Sequence, residues 1–200
     1  MRALAALALT AAVAGCAAPA AITSPGSLPS VDALPAWSAS GRIAIAADGE
    51  GGSGSFTWRQ DDVTTRLGLR GPLGAGGLEV LASPDALHVT DAAGREFDTG
   101  AASAELRMRL GTDVPWSSLR FWMLGLPDPQ GPARVEERSD APRRVIEQGG
   151  WRIGYENYTV AGGYALPQRF VATRGGVRVK IVVDDWSLRG EPARAAGAPP

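Results

Sequence analysis

The chain has 200 residues, with 20 Lys and Arg against 21 Asp and Glu, one His and one Cys, for a formal charge of −1. That length suits one domain, or two very small ones, with a real core, and the balanced charge leaves no basic face for nucleic acid. The single Cys excludes an internal disulfide and a Cys-based zinc cage, and the single His, His88, argues against His-rich metal sites and most His-dependent catalysis. No metal, cofactor or enzymatic activity is therefore expected. With 26 Gly, 15 Pro and six Trp, the composition is that of a turn-rich β protein.

Residues 1–15 read as a signal peptide. Arg2 precedes an apolar run from Ala3 to Ala14, too short to span a bilayer, which takes ~20 residues, and right for a signal-peptide core. The run ends in Val13-Ala14-Gly15-Cys16, which resembles the lipobox of bacterial lipoproteins. The resemblance implies acylation at Cys16 and, because Ala17 rather than Asp follows, an outer-membrane address. An ordinary secretory signal with an incidental Cys is the alternative. Residues 16–36, rich in Ala, Pro and Ser, read as a lipidated flexible tether, and 189–200 as a disordered tail. The domain is then 37–188.

Within that domain, period-2 patterns predict half-buried antiparallel strands. Ile43 alternates with Ile45, Phe56 with Trp58, Leu67 with Leu69, Leu78 with Val80, and Leu87 with Val89. Further along, Trp151, Ile153 and Tyr155 share a face, as do Val177, Val179, Ile181 and Val183. Asp48–Gly52 and Gly71–Gly77 read as turns. The stretch from Gly49 to Gly54 matches G-x-G-x-x-G, but a strand follows instead of a helix, so it reads as a hairpin turn and not a dinucleotide site. Two helices interrupt the strands. One covers Ser103–Leu110, stopping at Gly111. The other covers Asp113–Leu124, with Pro115 near its start and a stripe of Trp116, Leu119, Trp122, Met123 and Leu126. By default such a stripe is core packing; its aromatic content also suits a cavity wall. The fold class is α+β: about ten strands of antiparallel sheet with the helices to one side, and a strongly curved sheet with helices across its concave face would enclose an apolar space.

Catalytic signals are weak. His88 points away from the Leu87 and Val89 face, no serine lies in G-x-S-x-G, and adjacent Asp pairs on strands face opposite ways. The Asn157-Tyr158-Thr159 sequon carries no weight behind a bacterial lipobox. In the loop Gly71-Pro72-Leu73-Gly74, however, one large apolar residue stands among Gly and Pro. Either Leu73 folds back onto the core, or it is aimed at something apolar outside, a membrane or a partner.

Several pieces, in this order, resemble the LolB family of outer-membrane lipoprotein receptors. They are Gly41-Arg42 after Trp37, Phe56-Thr57-Trp58-Arg59-Gln60, the Gly71–Gly74 loop, Leu119 through Pro127, Gln148-Gly149-Gly150-Trp151, and a last strand closing on Trp186. The resemblance implies a strongly curved, unclosed antiparallel β-barrel of about ten to eleven strands, with a helical lid over a hydrophobic cavity. It also implies a protein that accepts acylated lipoproteins from a soluble periplasmic carrier of the LolA kind and inserts them into the outer membrane, without nucleotide. Pro72, Leu73 and Gly74 would form the membrane-insertion loop. The expected acyl-cavity lining is Ile43, Ile45, Phe56, Trp58, Leu67, Leu69, Val179 and Ile181 from the strands, with Trp116, Leu119, Trp122 and Met123 from the lid. A lipid-anchored monomer facing the periplasm is expected. The alternatives are a structural or assembly lipoprotein that binds a protein partner through an apolar face, and a lipid hydrolase built on His88.

Overall fold

The strands of this chain run out to two edges of one sheet, and the helices cross between those edges. The structure, a computed structural model, describes residue 30 and residues 33–47, 50–72, 76–110 and 112–188. The first meander is β1 (Ala36–Ala47), β2 (Glu50–Asp61), β3 (Thr64–Arg70), β4 (Gly77–Ala82), β5 (Leu87–Asp91) and β6 (Glu96–Asp98). Next come α1 (Thr99–Leu110) and α2 (Trp116–Met123). The second meander is β7 (Ala133–Glu137), β8 (Arg144–Gln148), β9 (Trp151–Ala161), β10 (Tyr164–Arg174) and β11 (Val177–Leu188). β1 pairs with β11, so the eleven strands form one antiparallel sheet in the order β6-β5-β4-β3-β2-β1-β11-β10-β9-β8-β7. The sheet is strongly curved and unclosed, with β6 and β7 as its edges. To pass from one edge to the other, the chain lays α1 and α2 over the concave face. The helical lid is thus a consequence of the topology.

The concave side has a packed end and an open end. At the packed end, where β1 begins and β11 finishes, Trp37 stacks on Trp58 at 5.8 Å and meets Trp186 at 5.2 Å. Burying indole N–H groups demands acceptors. Trp58 Nε1 donates to Gln60 Oε1 (3.1 Å) and Trp186 Nε1 to the Pro167 carbonyl (3.0 Å). Gln60 in turn accepts from Thr65 Oγ1 and donates to the Asp62 carbonyl. Leu34 and Ala36 are buried here as well, so packing begins ahead of Trp37, inside the stretch read as tether.

Three local expectations are corrected. The residues from Glu50 to Gly54 are not turn but the first part of β2, paired with β1 from Ala47↔Glu50 to Ile43↔Gly54. The register of a long hairpin overrides the low strand propensity of its glycines. α1 begins at Thr99, four residues before Ser103, with Ala102 and Leu106 buried. α2 spans only Trp116–Met123: Pro115 takes the capping position with ψ of 81°, so residues 113–115 are not helical. The signal peptide, Cys16, most of the tether, Leu73, Gly74, Gly111 and the tail lie outside the described residues.

Candidate functional site

Alternation along the strands sends one set of side chains to the concave face, and at the open half of the sheet these leave a cavity of about 110 Å³. All twelve residues expected to line a cavity are brought together around it. Ile43 and Ile45 come from β1, Phe56 and Trp58 from β2, Leu67 and Leu69 from β3, Val179 and Ile181 from β11, and Trp116, Leu119, Trp122 and Met123 from α2. Strand register explains the grouping: Ile43 lies opposite Ile181, Ile45 opposite Val179, Phe56 opposite Leu69, and Trp58 opposite Leu67. The sequence reading did not assign Leu106, Thr112, Val114, Pro115, Trp151, Ile153, Phe170, Ala172 and Val177 to the wall, yet they complete it. Among the described lining residues only Thr112 is polar by type. Phe56, Trp58, Leu67, Trp122 and Met123 are buried, whereas Ile43, Ile45, Leu69, Trp116, Leu119, Val179 and Ile181 remain partly exposed. Apolar surface is therefore left uncovered toward the open end, where covering it would be favourable.

Side-chain hydrogen bonds hold the lid helix. Gln148, buried at the end of β8, uses its whole amide. Its Oε1 accepts from Trp122 Nε1 (3.0 Å) and from the Asp128 backbone N–H (2.9 Å), while its Nε2 donates to the carbonyls of Asp128 (2.7 Å) and Gly131 (3.1 Å). Ser118 Oγ donates to the Asp128 carboxylate at 2.7 Å, and Tyr155 OH donates to the Trp122 carbonyl at 2.7 Å. With Arg120, whose guanidinium donates to the Asp62 carbonyl (3.2 Å), these bonds tie α2 from Ser118 to Trp122 and the loop after it. Trp116 and Leu119, nearer its start, rest partly exposed over the cavity. Residue type and spacing give no signal for this clamp: Gln148-Gly149-Gly150-Trp151 enters the family resemblance without a role for Gln148.

Burial acts on the two neighbouring phenols. It pushes Tyr155 well above its ordinary value and Tyr158 up to about 12, with Arg144 opposing in both cases. Each group binds its proton more tightly folded than unfolded. Stability is accordingly full below the ordinary phenol value of 10.0 and is lost as pH rises toward 12. Urea midpoints measured from neutral pH upward are expected to stay level to about pH 10 and then fall, and Tyr155→Phe is expected to shrink that alkaline fall.

His88 pairs with Asp98 on the outer surface and does not line the cavity. Among the described residues, no group of three or more His, Cys, Asp or Glu is placed to hold a metal ion. Pro72 is exposed at the open end, where the β3–β4 loop departs.

Comparison with known proteins agrees with this architecture. Residues 35–186 match the family described as "Outer membrane lipoprotein LolB". The Outer-membrane lipoprotein LolB of Nitrosococcus oceani is 38% identical over 156 residues, 76% of each chain. That of Chromohalobacter salexigens is 33% identical over 153 residues, 76% of this chain and 71% of its own. Among solved structures, a LolA superfamily protein from Nitrosomonas europaea superposes with a TM-score of 0.50 at 13% identity, covering 80% of this chain and 88% of that one. A DUF1329 family protein from Desulfovibrio piger gives a TM-score of 0.54 at 10% identity, covering 82% and 89%. At such identities the likeness to the solved structures is one of fold.

Proposed function

The chain belongs to the LolB family of outer-membrane lipoproteins, and from that membership we propose that it receives acylated lipoproteins from a soluble periplasmic carrier of the LolA type and releases them into the outer membrane. The family works in lipoprotein localisation and is not enzymatic. The observation that supports the finer reading is the cavity itself: a wall of carbon at the open end of the curved sheet, under a helix whose Trp116 and Leu119 rest partly exposed over it.

The physical need is clear. At ~0.8 kcal/mol per buried CH₂, each long acyl chain costs on the order of 10 kcal/mol to expose to water. A handover must keep the chains covered throughout. No loop of the Walker type stands in the sequence, and the reading needs no nucleotide: cargo runs downhill when each acceptor binds the chains better than its donor. The resting cavity of about 110 Å³ is smaller than the roughly 300–1,000 Å³ of pockets for drug-sized ligands. Hydrocarbon therefore moves the partly exposed side chains of Trp116 and Leu119 aside, while Gln148 and Tyr155 keep Trp122 in place. An acyl anchor at Cys16 holds the domain at the destination membrane, and Leu73 leads the release step. The protein acts as a monomer.

Ile181→Asp tests this reading. Ile181 is half-buried in the wall, opposite Ile43 on β1 and Phe170 on β10, so the fold is expected to survive the change. Losing the apolar contact and desolvating a carboxylate together cost about 3–4 kcal/mol of acyl binding. A fluorescent triacylated lipopeptide is expected to bind about a hundredfold or more weakly, and Ile181→Val to bind it nearly normally. Equal affinity for the Asp variant and the native chain would move the lipid off this wall and favour a lipoprotein that binds a protein partner.

A further inference from the structure

The inward positions of the β1–β2 hairpin beyond Phe56 alternate isoleucine with glycine: Ile43 lies opposite Gly54 and Ile45 opposite Gly52. Glycine within a strand forfeits packing and chain entropy, and it persists where another backbone or a ligand comes close. Gly54 has a reason of the first kind, because a Cβ there would collide with the Arg70 carbonyl oxygen as β3 closes on β2. Gly52 has none. A Cβ at that position would meet nothing within 4 Å, and its backbone is not left-handed.

What lies over Gly52 is an open trough of about 600 Å³. Ile43, Ile45 and Leu69 belong to both the trough and the cavity, so the two spaces are continuous. The trough's far side is bounded by Pro72 and Gly76, the described flanks of the β3–β4 loop, and by Met108 of α1. Met108 is 73% exposed, an unbranched and adaptable apolar side chain standing in water beside this opening.

We infer that the trough is the passage through which a single acyl chain moves between the cavity and the bilayer, with the bare floor at Gly52 setting its width and Met108 forming its yielding outer wall. The inference rests on the acyl-binding reading given above. Apart from Glu50, Ser53 and Arg70 the trough is lined by apolar residues and glycine, so a chain moving between cavity and loop stays against a mostly apolar floor, which a route over the polar outer face of the sheet does not offer.

The test uses the full chain held in lipid nanodiscs and a dansylated fatty acid as probe. Energy transfer from Trp58, Trp116, Trp122 and Trp151, all in the cavity wall, reports arrival, and its decay after addition of phosphatidylethanolamine–phosphatidylglycerol vesicles reports release. Gly52→Phe is expected to slow both loading and release at least about tenfold, with the equilibrium Kd within about threefold and an unchanged melting temperature. Met108→Trp, narrowing the trough from the helix side without touching the hairpin, is expected to slow both rates as well. Ala46→Phe puts the same bulk on the exposed outward face of the hairpin and is expected to leave both rates alone. Gly52→Phe with the rates of Ala46→Phe would overturn the passage, and would be the result if the trough holds the peptide part of the cargo. A tenfold rise in Kd with unchanged release would overturn it too, by making Gly52 part of the binding cavity. Absence of energy transfer in the native chain would instead remove the acyl-binding reading beneath it.

Discussion

Replacing Gln148 with Leu is expected to be among the most destabilising single changes outside the apolar core. The leucine fills most of the space but returns none of the four hydrogen bonds. The indole N–H of Trp122, the N–H and carbonyl of Asp128 and the Gly131 carbonyl lose this partner together. A buried polar group left unsatisfied costs about 1–3 kcal/mol. Even with water relieving those nearest the surface, a total loss of about 3 kcal/mol is expected, near the upper end for point mutations. For a domain of this size that lowers the melting temperature by roughly 6–12 °C. Gln130, exposed in the loop after Asp128, offers the comparison: Gln130→Leu should stay within about 0.5 kcal/mol. The effect should reach beyond stability. With Trp122 released from β8, α2 keeps the Tyr155, Ser118–Asp128 and Arg120–Asp62 bonds but loses its tie to β8, so hydrogen exchange at the Phe121 and Trp122 amides should accelerate more than exchange in β1.

Leu73→Asp is expected to separate acceptance of cargo from its delivery. On the insertion scale a leucine gains a few tenths of a kcal/mol at the centre of a membrane, whereas aspartate costs about 2.5–3.5. The difference of about 3–4 kcal/mol corresponds to a factor on the order of 10² to 10³ in membrane partition. The lining expected from the sequence does not include this residue. Binding of a fluorescent lipopeptide should therefore change by no more than about threefold, while transfer to vesicles falls at least about a hundredfold. Equal loss of binding and transfer would make Leu73 a folding or cavity residue. Gly52→Phe differs in kind, because a narrowed passage slows loading as well as release.

How much of this was legible in the sequence follows from how regular each strand is. Ile43 and Ile45, Phe56 and Trp58, and Val179 and Ile181 alternate cleanly with their neighbours because one face meets the cavity and the other meets water. Their assignment to one wall needed only period 2 and an antiparallel sheet. β10 offers no such pattern. Pro167 sits inside it, the register shifts on either side of Arg169, and Phe170, Val171 and Ala172 are buried in succession. Phe170 and Ala172 were thus missing from the expected lining. In β8, Val145 and Ile146 are both buried, which hides the alternation in the same way. The glycines of β2 were taken for a turn because local propensity favours one. Long-range pairing with β1 decides otherwise, and no neighbouring residue announces it. Gln148 was illegible for a deeper reason: its role depends on Trp122, Asp128 and Gly131, which reach it only after the chain has crossed from one sheet edge to the other.

The most direct measurement is photolabelling of the full chain with a lipopeptide carrying a diazirine in one acyl chain, followed by peptide mapping of the adducts. If the concave face is where hydrocarbon is kept from water, the adducts concentrate on residues such as Ile43, Phe56, Trp122 and Ile181, and an unlabelled triacylated peptide suppresses them. Adducts confined to the outer face around Thr57, Arg66 and Glu79, or none that the unlabelled peptide displaces, would contradict the account.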